Sequence, residues 1–136
     1  MKAIGFIGEQ QRSNKLPAFK TLLTDISHPK EIIDKVVSYL VSGVECLETF
    51  ALEQDITEND LKIIGPSRFL TDGVWVWPSY YPYYLKKIPN LSIDESFLNY
   101  LHEKNFAKIN PSEVNVEEAY HFLEKYLDIR TYKFHS

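Results

Sequence analysis

The sequence predicts an α+β fold of about four helices packed with a small, mainly antiparallel sheet, in a single domain over 1–136. Three observations lead there. Apolar residues recur at helical spacing in HPKEIIDKVVSYLVSG, ESFLNYL and VEEAYHFLEKYL; β-prone runs stand between these stretches; and turn dipeptides separate the runs. With 136 residues, 44% of them hydrophobic, the chain can bury one core without cross-links.

Residues 2–7 form a short apolar run ending at Gly8, a candidate first strand. Residues 10–15 are polar and read as loop. Residues 17–23 suit a short helix, with Pro17 in the first turn where its missing N–H costs nothing. The strongest element follows. Ile32, Ile33, Val36, Val37 and Leu40 make one stripe, Lys30, Glu31, Asp34, Lys35 and Ser38 lie opposite, Pro29 suits the first turn and Gly43 the stop. Residues 44–52 alternate as a strand, with Val44, Cys46, Phe50 and Leu52 on one side. Residues 54–59 are a polar loop. The LKII run is a possible short strand that Gly65-Pro66 would end with a turn.

In residues 69–88, Asp72-Gly73 predicts a tight turn, residues 74–77 a strand and Pro78 its end. Trp75 and Trp77 share one face of that strand, Val74 and Val76 the other. Ser79 is placed to cap a helix bearing Tyr80, Tyr81, Tyr84, Leu85 and Ile88, with Pro82 in its first turn. Ser92 and Glu95 have capping-box spacing for a helix with Phe97, Leu98 and Leu101 as its stripe. Asn115 caps a last helix over 116–127, and the tail IRTYKF alternates as a terminal strand.

Chemistry-bearing groups are sparse. None of His28, His102, His121 and His135 has metal-ligand spacing to another His or Cys, although His121 and Glu124 share a helix face. Cys46 reads as a small core residue and Ser67 lacks the strand–turn–helix setting of a nucleophile elbow. No phosphate loop or dinucleotide fingerprint is present, so the expectation is a protein without catalytic groups, metal or cofactor. One cysteine precludes an intramolecular disulfide. With no signal-like leader and no membrane-length apolar run, the expected location is the cytoplasm. The net charge of −4 speaks against direct nucleic-acid binding.

Two features point to binding. No basic residue stands between Lys35 and Lys62, while Glu45, Glu48, Glu53, Asp55, Glu58 and Asp60 do, which predicts an outward negative field able to steer a cationic partner. Tyr80, Tyr81, Tyr83 and Tyr84 cannot all point inward from one helix, so at least one should be exposed, and exposed Tyr beside acids has hot-spot composition. Tyr80 and Tyr83 are the candidates. An aromatic groove of Trp75, Trp77, Tyr80 and Tyr84, holding a small molecule or peptide, is the alternative.

The pieces SYLVSG, TDGVWVWP, YYPYYL and DESFLNYLHEKNF, within residues 31–106, resemble small bacterial immunity proteins of polymorphic-toxin and contact-dependent growth inhibition systems. That resemblance implies a stoichiometric inhibitor covering the active site or substrate path of a cognate toxin domain, commonly a nuclease. It implies a core built on the Trp, Pro and Tyr positions, and it carries over no catalytic residue.

Overall fold

The computed structural model describes residues 1–128. In chain order the elements are β1 (Lys2–Ala3), the single-turn α1 (Gly8–Gln11), α2 (Lys30–Val41), β2 (Val44–Gln54), β3 (Ile63–Thr71), β4 (Trp75–Pro78), α3 (Tyr80–Lys87), α4 (Glu95–Glu103) and α5 (Val116–Leu127). Short 3-10 turns cover Phe19–Leu22 and Pro111–Glu113. The fold is α+β as expected, but with five helices among the described residues, α1 being only four residues long. The sheet is four-stranded and mixed, in the order β1-β4-β3-β2. Its two hairpin pairings are antiparallel, whereas β1 lies parallel to β4, with Lys2 opposite Trp75 and Ala3 opposite Val76. The expected tail strand lies outside the described residues.

Alternation in β4 divides the core. Trp75 and Trp77 pack on one face with Tyr39 and Leu40 of α2, residues of α3, and Phe97 and Leu101 of α4. Val76 joins Cys46 and Phe69 on the other face, under Ala119 and Leu123 of α5. Both faces of this strand are thus covered by helices, and all four of its residues are buried. Trp77 lies wholly inside and donates its indole N–H to the Leu40 carbonyl at 3.1 Å, which removes the cost of burying that polar group.

The helix termini follow their local chemistry. Asn115 caps α5 as its spacing predicts, its Oδ1 accepting from Glu118 N at 3.1 Å. For α4 the cap is Asp94, not Ser92: Asp94 Oδ1 accepts from Ser96 N and Phe97 N, and a carboxylate at that terminus also meets the positive end of the helix. Ser79 occupies the N-cap position of α3, but its hydroxyl serves β3, accepting from Arg68 N and donating to Pro66 O. Gly43 does follow α2, for a reason other than backbone freedom. A β-carbon there would stand 2.5 Å from Trp77 Cζ2.

Three expectations change. Residues 2–7 supply only two ladder residues, because Gly5 turns the chain at φ +82° and α1 begins at Gly8. The helix expected over 17–23 reduces to the 3-10 turn. Gly65-Pro66 is no turn. β3 runs through it, with Pro66 opposite Leu52, and β4 pairs only from Phe69 onward, so the missing proline N–H breaks no ladder bond on that side. The chain reverses earlier, where Asp55 N donates to Lys62 O and Leu61 adopts a left-handed backbone.

Candidate functional site

The long hairpin β2–β3 carries the acidic run, and its register shows how the run is distributed. Pairing is regular at Val44–Thr71 and Glu48–Arg68 but slips between Glu45 and Leu47 and again between Glu48 and Leu52. Such bulges reset the side-chain alternation. Cys46 therefore keeps its inward place while Phe50, expected on the same face, is fully exposed at 106% and Leu52 at 62%. Leu61, Ile63 and Ile56 are exposed at the same end of the hairpin. Five exposed apolar side chains thus lie along the outer half of the hairpin and its loop. Exposed apolar groups of this kind mark interaction surfaces more often than scattered single residues do.

The acids behave unequally. Asp55 is buried, which corrects its expected surface role: Oδ2 accepts from Lys87 Nζ and Tyr83 OH, each at 2.6 Å, and Oδ1 accepts from Thr57 N at 2.8 Å. Burial opposes its charge, yet the bonds from Lys87, Thr57 and Tyr83 outweigh that and hold the carboxyl well below the usual carboxylate range. Lys87 Nζ also reaches Glu58 at 2.7 Å, and Lys62 stands 3.7 Å from Glu58. Hydrogen bonds to Asp55 and Glu58 push the Lys87 ammonium above its ordinary range. Asp55 thus stays ionised and Lys87 stays charged near neutrality, so the pair is a fixed clamp with no proton to exchange.

Other members of the run have their own partners. Glu53 Oε2 accepts from Gln10 Nε2 at 2.7 Å, while Gln10 Oε1 accepts from the Tyr84 hydroxyl at 2.6 Å. Glu45 lies 3.9 Å from Arg68, a loose exposed pair of small energetic consequence. Glu48 and Asp60 are exposed, and neither has an ion pair among the described residues. The outward field expected from 36–61 is therefore corrected: Lys87 of α3 and the bordering Lys62 neutralise its Asp55–Glu58 end, and Glu45 and Glu48 on β2 and Asp60 in the loop carry the remaining exposed charge.

None of the four tyrosines of α3 is exposed, contrary to the expectation for at least one; only Tyr83 leaves the core, and only by half. Tyr80, proposed as a contact, is instead buried at 1%; its hydroxyl accepts from Ile7 N at 3.1 Å and donates to Gln11 Oε1 at 2.8 Å. Tyr81 and Tyr84 are also buried. Tyr83 is half-buried, donates to Asp55, and has the Lys87 and Lys62 ammonium groups about its ring at 5.9 and 6.0 Å. The bond to Asp55 raises its phenol above the ordinary value. Trp75, Trp77, Tyr80 and Tyr84, the four rings of the alternative groove, are all core side chains.

The remaining reactive side chains have quiet settings. Cys46 is buried under α5, and burial pushes its thiol up to about 12, which keeps it protonated at neutral pH. His121 contacts Glu124 at 2.9 Å and Glu117 at 3.5 Å along α5, and those two carboxylates raise its pKa. Among the described residues, no group of three or more His, Cys, Asp or Glu is arranged to hold a metal ion, and no helix is long and apolar enough to cross a membrane. No protein-family model matches this chain, and no curated protein or solved structure matches it either.

Proposed function

We propose that this chain is an immunity-type inhibitor, binding a cognate bacterial toxin domain, commonly a nuclease, and occluding its active site or substrate path. The observation that carries the reading is the outer half of the β2–β3 hairpin. There Phe50, Leu52 and Leu61 stand exposed, with acidic side chains along the same hairpin. Apolar anchors ringed by charge give affinity at the centre and orientation at the rim. A standard interface of about 1,600 Å² in total would extend over both strands of the hairpin. The acids would meet the basic surface a nuclease presents to phosphate.

The test is co-expression with the toxin domain encoded beside this gene. The expected result is survival of the host and a one-to-one complex on size-exclusion chromatography. A chain that neither binds nor protects ends the reading. Phe50→Asp in the same assay should weaken the complex by about tenfold or more, since a central aromatic anchor is worth upwards of 1.4 kcal/mol.

A further inference from the structure

The two borders of the sheet differ. On one side β1 is two residues long, too short to template another strand. On the other, β2 runs for eleven residues and has no strand beyond it among the described residues. That border presents backbone donors and acceptors, interrupted by the bulges at 45–47 and 48–52. The register identifies where one such set faces outward. Ser79 N donates to Arg68 O at 2.8 Å, so Arg68 spends its backbone groups on the chain continuing from β4. Its partner across the β2–β3 ladder, Glu48, is therefore at a non-hydrogen-bonded position, with its own amide and carbonyl turned away from β3.

Charge selects the occupant. Glu45 and Glu48 stand opposite Leu70 and Arg68 on the sheet, Glu48 has no ion pair among the described residues, and no Lys or Arg occurs anywhere in 36–61. A second copy of this chain would set these glutamates near their own equivalents, and each copy carries a net charge of −4. A strand bearing lysine or arginine at alternate positions would instead place cations beside them on the face that Glu45 and Glu48 share.

Resting on the inhibitor reading above, we propose that β2 receives an extended, basic segment of the partner protein as a fifth strand of the sheet. Backbone bonds along β2 would supply affinity, and Glu45 and Glu48 would select cationic side chains.

The experiment uses the full isotope-labelled chain and two synthetic heptapeptides, one alternating Lys and Val, the other Glu and Val. The expected result is chemical-shift change and slowed amide exchange confined to 44–54 with the lysine peptide, and binding at least about tenfold weaker with the glutamate peptide. Glu48→Pro, which removes an outward amide, should abolish binding, whereas Glu48→Gln, which keeps the amide, should reduce it only a few-fold. If Glu48→Pro unfolds, the exchange pattern of the unaltered chain decides the matter. Equal binding of both peptides, perturbation elsewhere, self-association, or slow exchange of the outward Glu48 amide in the free chain overturns the proposal. The assay contains no toxin. Failure of the co-expression test and failure of strand addition are therefore separate results.

Discussion

The α-carbon of Gly5 lies against the ring of Tyr81 so closely that a β-carbon would stand 2.2 Å from Cγ and 2.4 Å from Cδ2. Gly5 also holds φ +82°, a conformation that disfavours any L side chain. Steric overlap and backbone strain act together. Gly5→Ala should therefore lose about 3 kcal/mol or more of stability, read as a lower urea midpoint with an unchanged slope. A variant within about 0.5 kcal/mol of the parent would show that the N-terminal segment shifts away from α3 at little cost.

Asp72 organises the β3–β4 turn from both of its oxygens. Oδ1 accepts from Val74 N and Trp75 N at 2.9 and 2.7 Å, while Oδ2 accepts from Tyr39 OH at 2.6 Å and Tyr100 OH at 3.0 Å. Lys104 Nζ then donates to Tyr39 OH at 3.0 Å. The turn is thereby tied to α2 and α4. Asp72→Ala should cost about 3 kcal/mol, because several donors lose their acceptor at once. Asp72→Asn should recover only part of that, since its amide would face two phenolic donors. Thermal melts of both variants check the order.

The Asp55 clamp sets an acid dependence. Its carboxyl is held below the ordinary range in the folded chain, so the unfolded state binds the extra proton as pH falls. The contribution is complete above the unfolded carboxylate value and fades as pH drops through the lower folded one. Stability should thus decline on acidification from about pH 4 downward, and Asp55→Asn should flatten that limb while lowering stability at neutrality. Melting temperature against pH, for both proteins, is the measurement. An unaltered slope would place the acid sensitivity elsewhere.

Cys46 supplies a probe of opening. Its thiol is buried, donates to the Phe69 carbonyl at 3.4 Å and is pushed up to about 12 by burial. Ellman's reagent should modify it orders of magnitude more slowly in the folded chain than in urea, because the thiolate is scarce and enclosed. Leu123→Ala, which opens the same core beneath α5, should speed the reaction while lowering stability by about 2–5 kcal/mol. Rapid labelling of the unaltered protein would mean that α5 separates readily from the sheet.

Helices α2 and α5 were legible because their stripes recur at helical period over twelve residues each, long enough for pattern to outweigh composition. The two faces of β4 were legible because alternation there is unbroken. The same rule misplaces Phe50, since the one-residue slip between Glu45 and Leu47 sets Cys46 and Leu47 on the same side and changes the phase beyond them without leaving a mark in residue types. Asp55 was misread because its cation comes from Lys87, 32 residues away on α3; a local count of charges has no access to that. Ser92 and Asp94 both have capping chemistry, and the loop geometry before α4 decides between them. The acids at 45 and 48 were found by composition, whereas the open border beside them follows only from strand order.

The parallel pairing of β1 with β4 also bears on synthesis. Ile7 meets the Tyr80 hydroxyl 73 positions later, and Lys2 and Ile4 donate to Val74 and Val76 at 3.0 Å. At about 5–20 residues per second, β1 waits roughly 4–15 s during synthesis for its docking strand to be made. The β2–β3–β4 meander can close from neighbouring residues in the meantime. Residues 2–7 are then among the last secured, and a bulky fusion placed directly ahead of them would hinder that late docking.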